Sequence, residues 1–225
     1  MKKIIAILLV LAFLLAGCSQ NNAPQSGTVE QIPTESLVEE KEVSLGRMEG
    51  GVYTNTYAGF GCKLDSTWTF LSAEELQQLP ENVAEMFKDT EMAADLTQIS
   101  DMVAENVDEM ITMNVLYTKV PMAERVLYAA MSDEEVVDAT LAQKDAMISA
   151  YEQAGLHVNS MEKVTVWFLG QECAAIRTAC TVEGYPYYIL QIFDYHLGQY
   201  GVTLTLSSYI EDNTASMLDL FYAVE

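Results

Sequence analysis

Three kinds of side chain in this sequence could do chemistry: four cysteines, two histidines and 33 carboxylates. Cys18 stands apart from the rest. It follows an uninterrupted apolar run, Ile4 to Ala16, and precedes the polar Ser19-Gln20-Asn21-Asn22. A thiol is the best nucleophile of the small side chains, so a cysteine at such a junction can take a covalent group. His157 and His196 are the only imidazoles, and a Cys-His or Ser-His-Asp site would need a carboxylate to hold one of them. One falls at an expected strand start and the other beside a turn, after Asp194 and Tyr195, where an exposed ring without catalytic duty is the ordinary case. No GxSxG, Walker loop or GxGxxG occurs. Paired carboxylates could hydrolyse a glycoside, but with so many acids any chosen pair is arbitrary. The acids lack the spacing and glycine of an EF-hand, and no Cys/His metal spacing occurs. The expectation is therefore no catalytic residue, no metal ligand and no cofactor.

The surroundings of Cys18 say more. Met1-Lys2-Lys3 is a short positive segment, and thirteen apolar residues follow it. As a helix they rise only ~20 Å, too short for a ~30 Å hydrocarbon core. The segment reads as the apolar region of a signal peptide. Leu15-Ala16-Gly17-Cys18 resembles the bacterial lipobox. That resemblance implies recognition of Leu15, Ala16 and Gly17 by a signal peptidase, a diacylglycerol thioether on Cys18, and cleavage just before it. Each buried methylene contributes ~0.8 kcal/mol, so two acyl chains hold where one is marginal. The expected location is the extracytoplasmic face of a cell membrane, as on a Gram-positive surface.

Charge narrows the partners. The formal charge is −22, and loss of Lys2 and Lys3 with the leader deepens it to −24. Such a field repels nucleic acid, which needs a basic footprint. It also repels anionic headgroups, so the membrane is engaged through the lipid and the other partner is an unidentified protein. Cys62, Cys173 and Cys180 remain. Cys173 and Cys180 lie on one expected strand at odd spacing, on opposite faces and over ~20 Å apart, so they cannot bond to each other. They read as small buried apolar residues, with a bridge from Cys62 to one of them left open.

Three regions follow along the chain: a signal peptide over 1–17, a lipid-anchored disordered linker over 18–49, and one domain over 50–225. The linker is polar, with Pro24 and Pro33 and no sustained periodicity. In the domain, GVYTNTYAGFGCKLD reads as two short strands broken at Ala58-Gly59. Ser72-Ala73-Glu74-Glu75 is a capping box opening a helix to about Leu79. Pro80 suits the start of a second helix running to about Ile99. Strands are expected at Asp101 to Glu105 and Met110 to Lys119, with Ile111, Met113, Val115 and Tyr117 sharing one face. A short helical piece follows Pro121. A second capping box, Ser132 to Glu135, opens a helix whose apolar stripe runs from Val136 to Tyr151 and stops at Gly155.

Four strands come next: Val158 to Phe168, Glu172 to Glu183, Tyr185 to Tyr195 and Tyr200 to Tyr209. Their short links favour antiparallel neighbours. The third is apolar on both faces, with Tyr187, Ile189, Phe193 and Tyr195 against Tyr188, Leu190 and Ile192, so both faces must be covered. A last helix is expected near Asp212 to Tyr222. The fold class is α+β: an α/β/α sandwich, a mainly antiparallel sheet with helices on both faces.

Residues 50 to 222 resemble the PsbP-like domains, the superfamily of the plant photosystem extrinsic protein and the eukaryotic Ran-release factor. The likeness rests on the opening "GVYTNTYAGFGCKLDSTWTFLSAEEL", a Leu64-Asp65-x-x-Trp68 corner, a long mid-chain helix, four strands and a closing helix. It implies an α/β/α sandwich that binds or scaffolds partners, and no shared catalytic residues. Trp68, Trp167, Tyr185, Tyr187, Tyr195, Tyr200 and Tyr209 could line a cleft for a sugar or peptide, or serve as core and sheet surface. The expected function is a membrane-anchored, non-catalytic interaction domain. The alternatives are a small-molecule or solute binder and an envelope-acting hydrolase.

Overall fold

The computed structural model describes residues 44–79 and 98–224. Three short strands come first: β1 (Arg47–Glu49), β2 (Val52–Asn55) and β3 (Phe60–Lys63). The break at Ala58-Gly59 falls between β2 and β3 as the sequence predicts. β1 corrects the domain boundary, because residues assigned to the linker pair with β2 from Arg47↔Thr54 to Glu49↔Val52. β4 (Thr69–Phe70) leads to helical residues 73–79, α1, whose capping box forms: the Glu75 amide donates to Ser72 Oγ and the Ser72 amide to the Glu75 carboxylate. The second helix expected from Pro80 falls on residues 80–97, outside the described residues. Its expected end is corrected, since Ile99 already belongs to β5 (Gln98–Asn106).

β6 (Ile111–Lys119) follows, then α2 (Met122–Tyr128), α3 (Asp133–Leu141) and α4 (Lys144–Gln153). The sequence predicts one helix where α3 and α4 stand. At Gln143 the backbone leaves the helical region (φ −99°, ψ 17°), and its amide reaches back only three residues, to the Thr140 carbonyl. The apolar stripe crosses this joint unbroken: Val136, Val137, Met147, Ala150 and Tyr151 are all buried. Periodicity alone therefore cannot reveal the joint. α4 ends as predicted, with Gly155 at φ +87° and the Leu156 amide bonded to the Tyr151 carbonyl at 2.9 Å.

β7 (His157–Phe168), β8 (Gln171–Val182), β9 (Tyr185–Asp194) and β10 (Tyr200–Tyr209) match the four predicted strands to within a residue or so. The predicted last helix is replaced by a 3-10 turn, Ser216–Leu220, and by β11 (Phe221–Ala223), which pairs with β3. Met217, Leu218, Phe221 and Tyr222 fit a helical stripe. They fit a turn followed by an edge strand equally well, and the open edge of β3 decides between them.

Two antiparallel sheets result. The larger runs β4-β5-β6-β10-β9-β8-β7 and the smaller β1-β2-β3-β11. The helices carry the chain from β6 across to the far edge at β7, and three hairpins bring it back until β10 meets β6. This class is α+β. The described helices gather on one face of the large sheet, where Val136, Val137, Met147 and Tyr151 pack with Ile176, Tyr187, Ile189 and Phe193. On the other face lies the small sheet with the 3-10 turn: Tyr53, Phe60, Cys62, Met217 and Phe221 against Met113, Val115, Ala175, Leu190 and Leu204. Both faces are covered, as the third of the four predicted strands requires. Among the described residues, however, the cover on the second face is a sheet and not the layer of helices expected there. A sheet satisfies the same burial demand, and β9's pattern cannot distinguish the two.

The small sheet is held close. Phe60, Phe168 and Phe221 meet edge to face with centroids 5.7 to 5.8 Å apart. A Cβ on Gly61 would lie 2.6 Å from the Tyr53 carbonyl oxygen and 2.7 Å from the Tyr222 ring. Gly61→Ala should therefore cost about 1–3 kcal/mol of stability through overpacking. Chemical denaturation checks this, and an unchanged midpoint would show that the small sheet can shift without penalty.

Candidate functional site

The densest polar group in the interior forms where the two sheets meet. It begins with an irregularity in β5. Ser100 pairs with Leu116 and Met102 with Val115, so Asp101 is an extra residue in the ladder. A bulge of this kind re-aims a side chain. The Asp101 carboxylate is turned to the small-sheet side, where only 4% of the residue stays accessible. It accepts from the Gly46 amide at 2.8 and 3.1 Å, from the Tyr53 hydroxyl at 2.5 Å and from the Asn55 amide at 2.6 Å.

The donors and acceptors balance. Asn55 Nδ2 also lies 2.6 Å from the Tyr117 hydroxyl and 2.7 Å from that of Tyr53. Its Oδ1 accepts from the Ala58 amide at 2.8 Å. Tyr117 passes its own proton outward to the Ser44 carbonyl at 3.0 Å. Tyr53, Asn55 and Tyr117 are fully or almost fully buried. Three parts of the chain are thereby joined: the entering segment at Ser44 and Gly46, the small sheet at Tyr53 and Asn55, and the large sheet at Asp101 and Tyr117. The cluster acts as a clamp on the segment that brings the N-terminal region into the fold.

Burial pushes the Asp101 carboxyl above its ordinary range, while the hydrogen bonds from Tyr53, Gly46 and Asn55 pull the other way. The Tyr53 and Tyr117 hydroxyls are raised by burial first and then by the Asp101 charge, so both stay protonated as donors. A carboxyl raised in the folded state binds protons more tightly there than when unfolded. Its contribution to stability is present below the unfolded pKa and is lost as pH rises through the folded one.

The residues singled out in the sequence are dispersed. Leu15, Ala16, Gly17 and Cys18 lie outside the described residues. No helix among the described residues is long and apolar enough to cross a membrane. His157 is exposed at the start of β7, 3.9 Å from Glu152. His196 does meet a carboxylate, with Nε2 3.1 Å from Asp133 Oδ1. That contact ties the loop after β9 to the N-terminus of α3, where Ser132 directs its hydroxyl to the Glu135 carboxylate of the capping box. Cys62, Cys173 and Cys180 are free and buried, which closes the question of a bridge. Cys173 and Cys180 face opposite sides of the sheet, as their spacing predicts. The aromatic set forms no single cleft: Tyr187, Tyr195 and Tyr209 pack on the helix side, Trp68 and Tyr200 on the small-sheet side, and Trp167 is 65% exposed. Among the described residues, no three or more His, Cys, Asp or Glu side chains come together as metal ligands would.

Sequence reasoning passed over Asp101, placing it at a strand start. The available signal was a lone acid between Ile99-Ser100 and Met102-Val103-Ala104, but the bulge that turns it inward leaves no mark in the pattern.

No protein-family profile and no curated protein matches the chain. A crystal structure from Bacteroides thetaiotaomicron is similar at 11% identity, over 79% of this chain and 50% of that one, with a TM-score of 0.36. The chain thus spans about half the length of that protein.

Two outcomes follow from the site. Asp101→Ala takes the carboxylate acceptor from the Gly46 amide and the Tyr53 hydroxyl and leaves Asn55 Nδ2 only the two tyrosine oxygens; it should cost about 1–3 kcal/mol, with faster hydrogen exchange at the Gly46 amide. Against Asp101→Asn, the wild type should lose relative stability as pH rises from about 4 toward neutrality; a relative gain would show that the charged form is the favoured one. Burial pushes the Cys62 and Cys180 thiols up to about 12 and that of Cys173 up to about 11. None of the three should react with a thiol reagent near neutral pH until the protein is unfolded.

Proposed function

We propose that the protein is an extracytoplasmic lipoprotein: a domain fastened to the membrane through a diacylglycerol on Cys18, which works by binding another macromolecule and not by catalysis. The observation that carries the reading is the junction Leu15-Ala16-Gly17-Cys18 at the end of the apolar run. The other cysteines add support by contrast. Cys62, Cys173 and Cys180 serve as small apolar residues of the interior. Cys18 alone stands in a sequence context that calls for a nucleophilic thiol.

The clamp suits this arrangement. A domain held by its N-terminal tether must pass any pull on the tether into its core. Here Ser44 and Gly46 are bonded to Tyr117 and Asp101 of the large sheet just before β1 begins. The acidic surface keeps such a domain clear of anionic headgroups and leaves its faces open to a protein partner.

Processing tests the anchor. Cys18→Ala should accumulate as an uncut precursor, whereas the wild type should carry a glyceride on its amino-terminal cysteine by mass spectrometry. Normal maturation of the variant, or an unmodified thiol on the native protein, would overturn the proposal.

A further inference from the structure

β7 closes the large sheet on one side, and among the described residues no strand pairs with its second edge. At twelve residues it is long for an edge, and such edges are ordinarily guarded. Half of this one is. The register shifts between Val158 and Ser160, which bends the ladder, and Lys144 Nζ caps the Met161 carbonyl at 2.7 Å. The register with β8 runs unbroken through the stretch Lys163-Val164-Thr165-Val166-Trp167, which contains no proline.

The Met161 cap also sets the phase. In an antiparallel ladder alternate residues direct their backbone groups to the same side. An outward Met161 carbonyl therefore places the amides and carbonyls of Lys163, Thr165 and Trp167 on the open edge. The side chains of these residues point to the helix side, where Lys163 bonds Asp138 at 2.8 Å and Trp167 stands exposed. Val164 and Val166 point to the small-sheet side, half-buried against the core there.

We propose that this stretch is a self-complementary interface, and that a second copy of the chain pairs with it antiparallel to make one continuous sheet. Two copies joined edge to edge are related by a two-fold axis perpendicular to the sheet, so opposing residues must share a face. Centring the axis on Thr165 sets Thr165 against its own copy, Lys163 against Trp167 and Val164 against Val166. Each contact is favourable: a hydroxyl pair, a cation over an aromatic face and a β-branched pair. Lys163, Thr165 and Trp167 of each chain supply the bonded positions of the ladder. The registers toward the N-terminal end of the strand fail. Axes on Glu162 or Lys163 oppose like charges, and an axis on Val164 needs the Met161 carbonyl that Lys144 already occupies. Leu169 and Gly170, both at positive φ, end the strand just past the paired window.

The occupant is a second copy because the stretch fits itself in charge and shape. The interface is small and each chain is strongly acidic, so the pairing is weak at low salt and strengthens as salt screens the repulsion. It does not depend on the lipid anchor.

Paired residues in such a ladder lie ~5.5 Å apart at Cα, within reach of a disulfide. Under mild oxidation Thr165→Cys should give a covalent dimer at least about tenfold faster than Asn159→Cys, which sits on the guarded half of the same edge. Adding Trp167→Lys, which opposes two lysines at an exposed position, should remove that advantage. Sedimentation of the wild-type chain should show a dimer fraction that rises between about 50 and 500 mM salt. Equal crosslinking at the two positions, an advantage that survives Trp167→Lys, or a monomer at every salt concentration would overturn the proposal.

Discussion

The structure depends on one buried carboxylate. Asp101, on the large sheet, sits where the two sheets and the entering chain converge, and it offers acceptors to donors from the small sheet and the entering chain. Burying a charge is costly unless its hydrogen bonds are met, and here each oxygen has a partner. The arrangement also requires the two tyrosines to be donors, which burial enforces by keeping Tyr53 and Tyr117 protonated. Besides this cluster, the Tyr57 hydroxyl in the β2–β3 turn bonds the Leu197 and Tyr200 carbonyls, each at 3.0 Å, and the rest of the small sheet's seat is apolar contact. Apolar contact is non-directional, whereas hydrogen bonds fix register and orientation.

The opposite face of the large sheet follows a different rule. Along β10, Val202, Leu204 and Leu206 face the small sheet, while Thr203, Thr205 and Ser207 face the helices, and all six are buried. Simple alternation would assign the hydroxyl row to solvent. The helices close over it instead, and the hydroxyls must find partners inside. Tyr151 of α4 reaches Gln191 of β9 at 3.1 Å, and Gln191 lies 3.4 Å from Thr205. The helix layer is thus oriented on the sheet by polar contacts as well as by the stripe from Val136 to Tyr151. At the rim, Arg177 of β8 lies over the Tyr188 ring and bonds Asp212. Burial alone would raise the Asp212 carboxyl, but the Thr214 and Arg177 hydrogen bonds hold it below its ordinary range. That pair ties the segment after β10 back to β8, one strand in from the edge.

The function proposed for the chain is read from its ends and edges more than from a cleft. Among the described residues, Cys62, Cys173 and Cys180 fill the core, and His196 joins a loop to a helix terminus through Asp133. The described chain offers an acidic exterior and one long edge strand that is guarded over only half its length.

By itself the sequence determined the local elements. Capping boxes at Ser72 and Ser132, the stop at Gly155, the break at Ala58-Gly59 and the strand order from Val158 to Tyr209 were all legible, because each depends on neighbours a few residues away. The lipobox resemblance at Cys18 is local in the same sense. Tertiary structure alone decided which layer covers each face of the sheet, that Arg47 to Glu49 joins the domain as a strand, that Phe221 pairs with β3 rather than closing a helix, and that Asp101 turns inward to become the clamp. Each of these is settled by a partner far away in sequence: β2 for β1, β3 for β11, and Gly46, Tyr53 and Asn55 for Asp101. A pattern of apolar and polar residues records that a side chain is to be buried, but not against what.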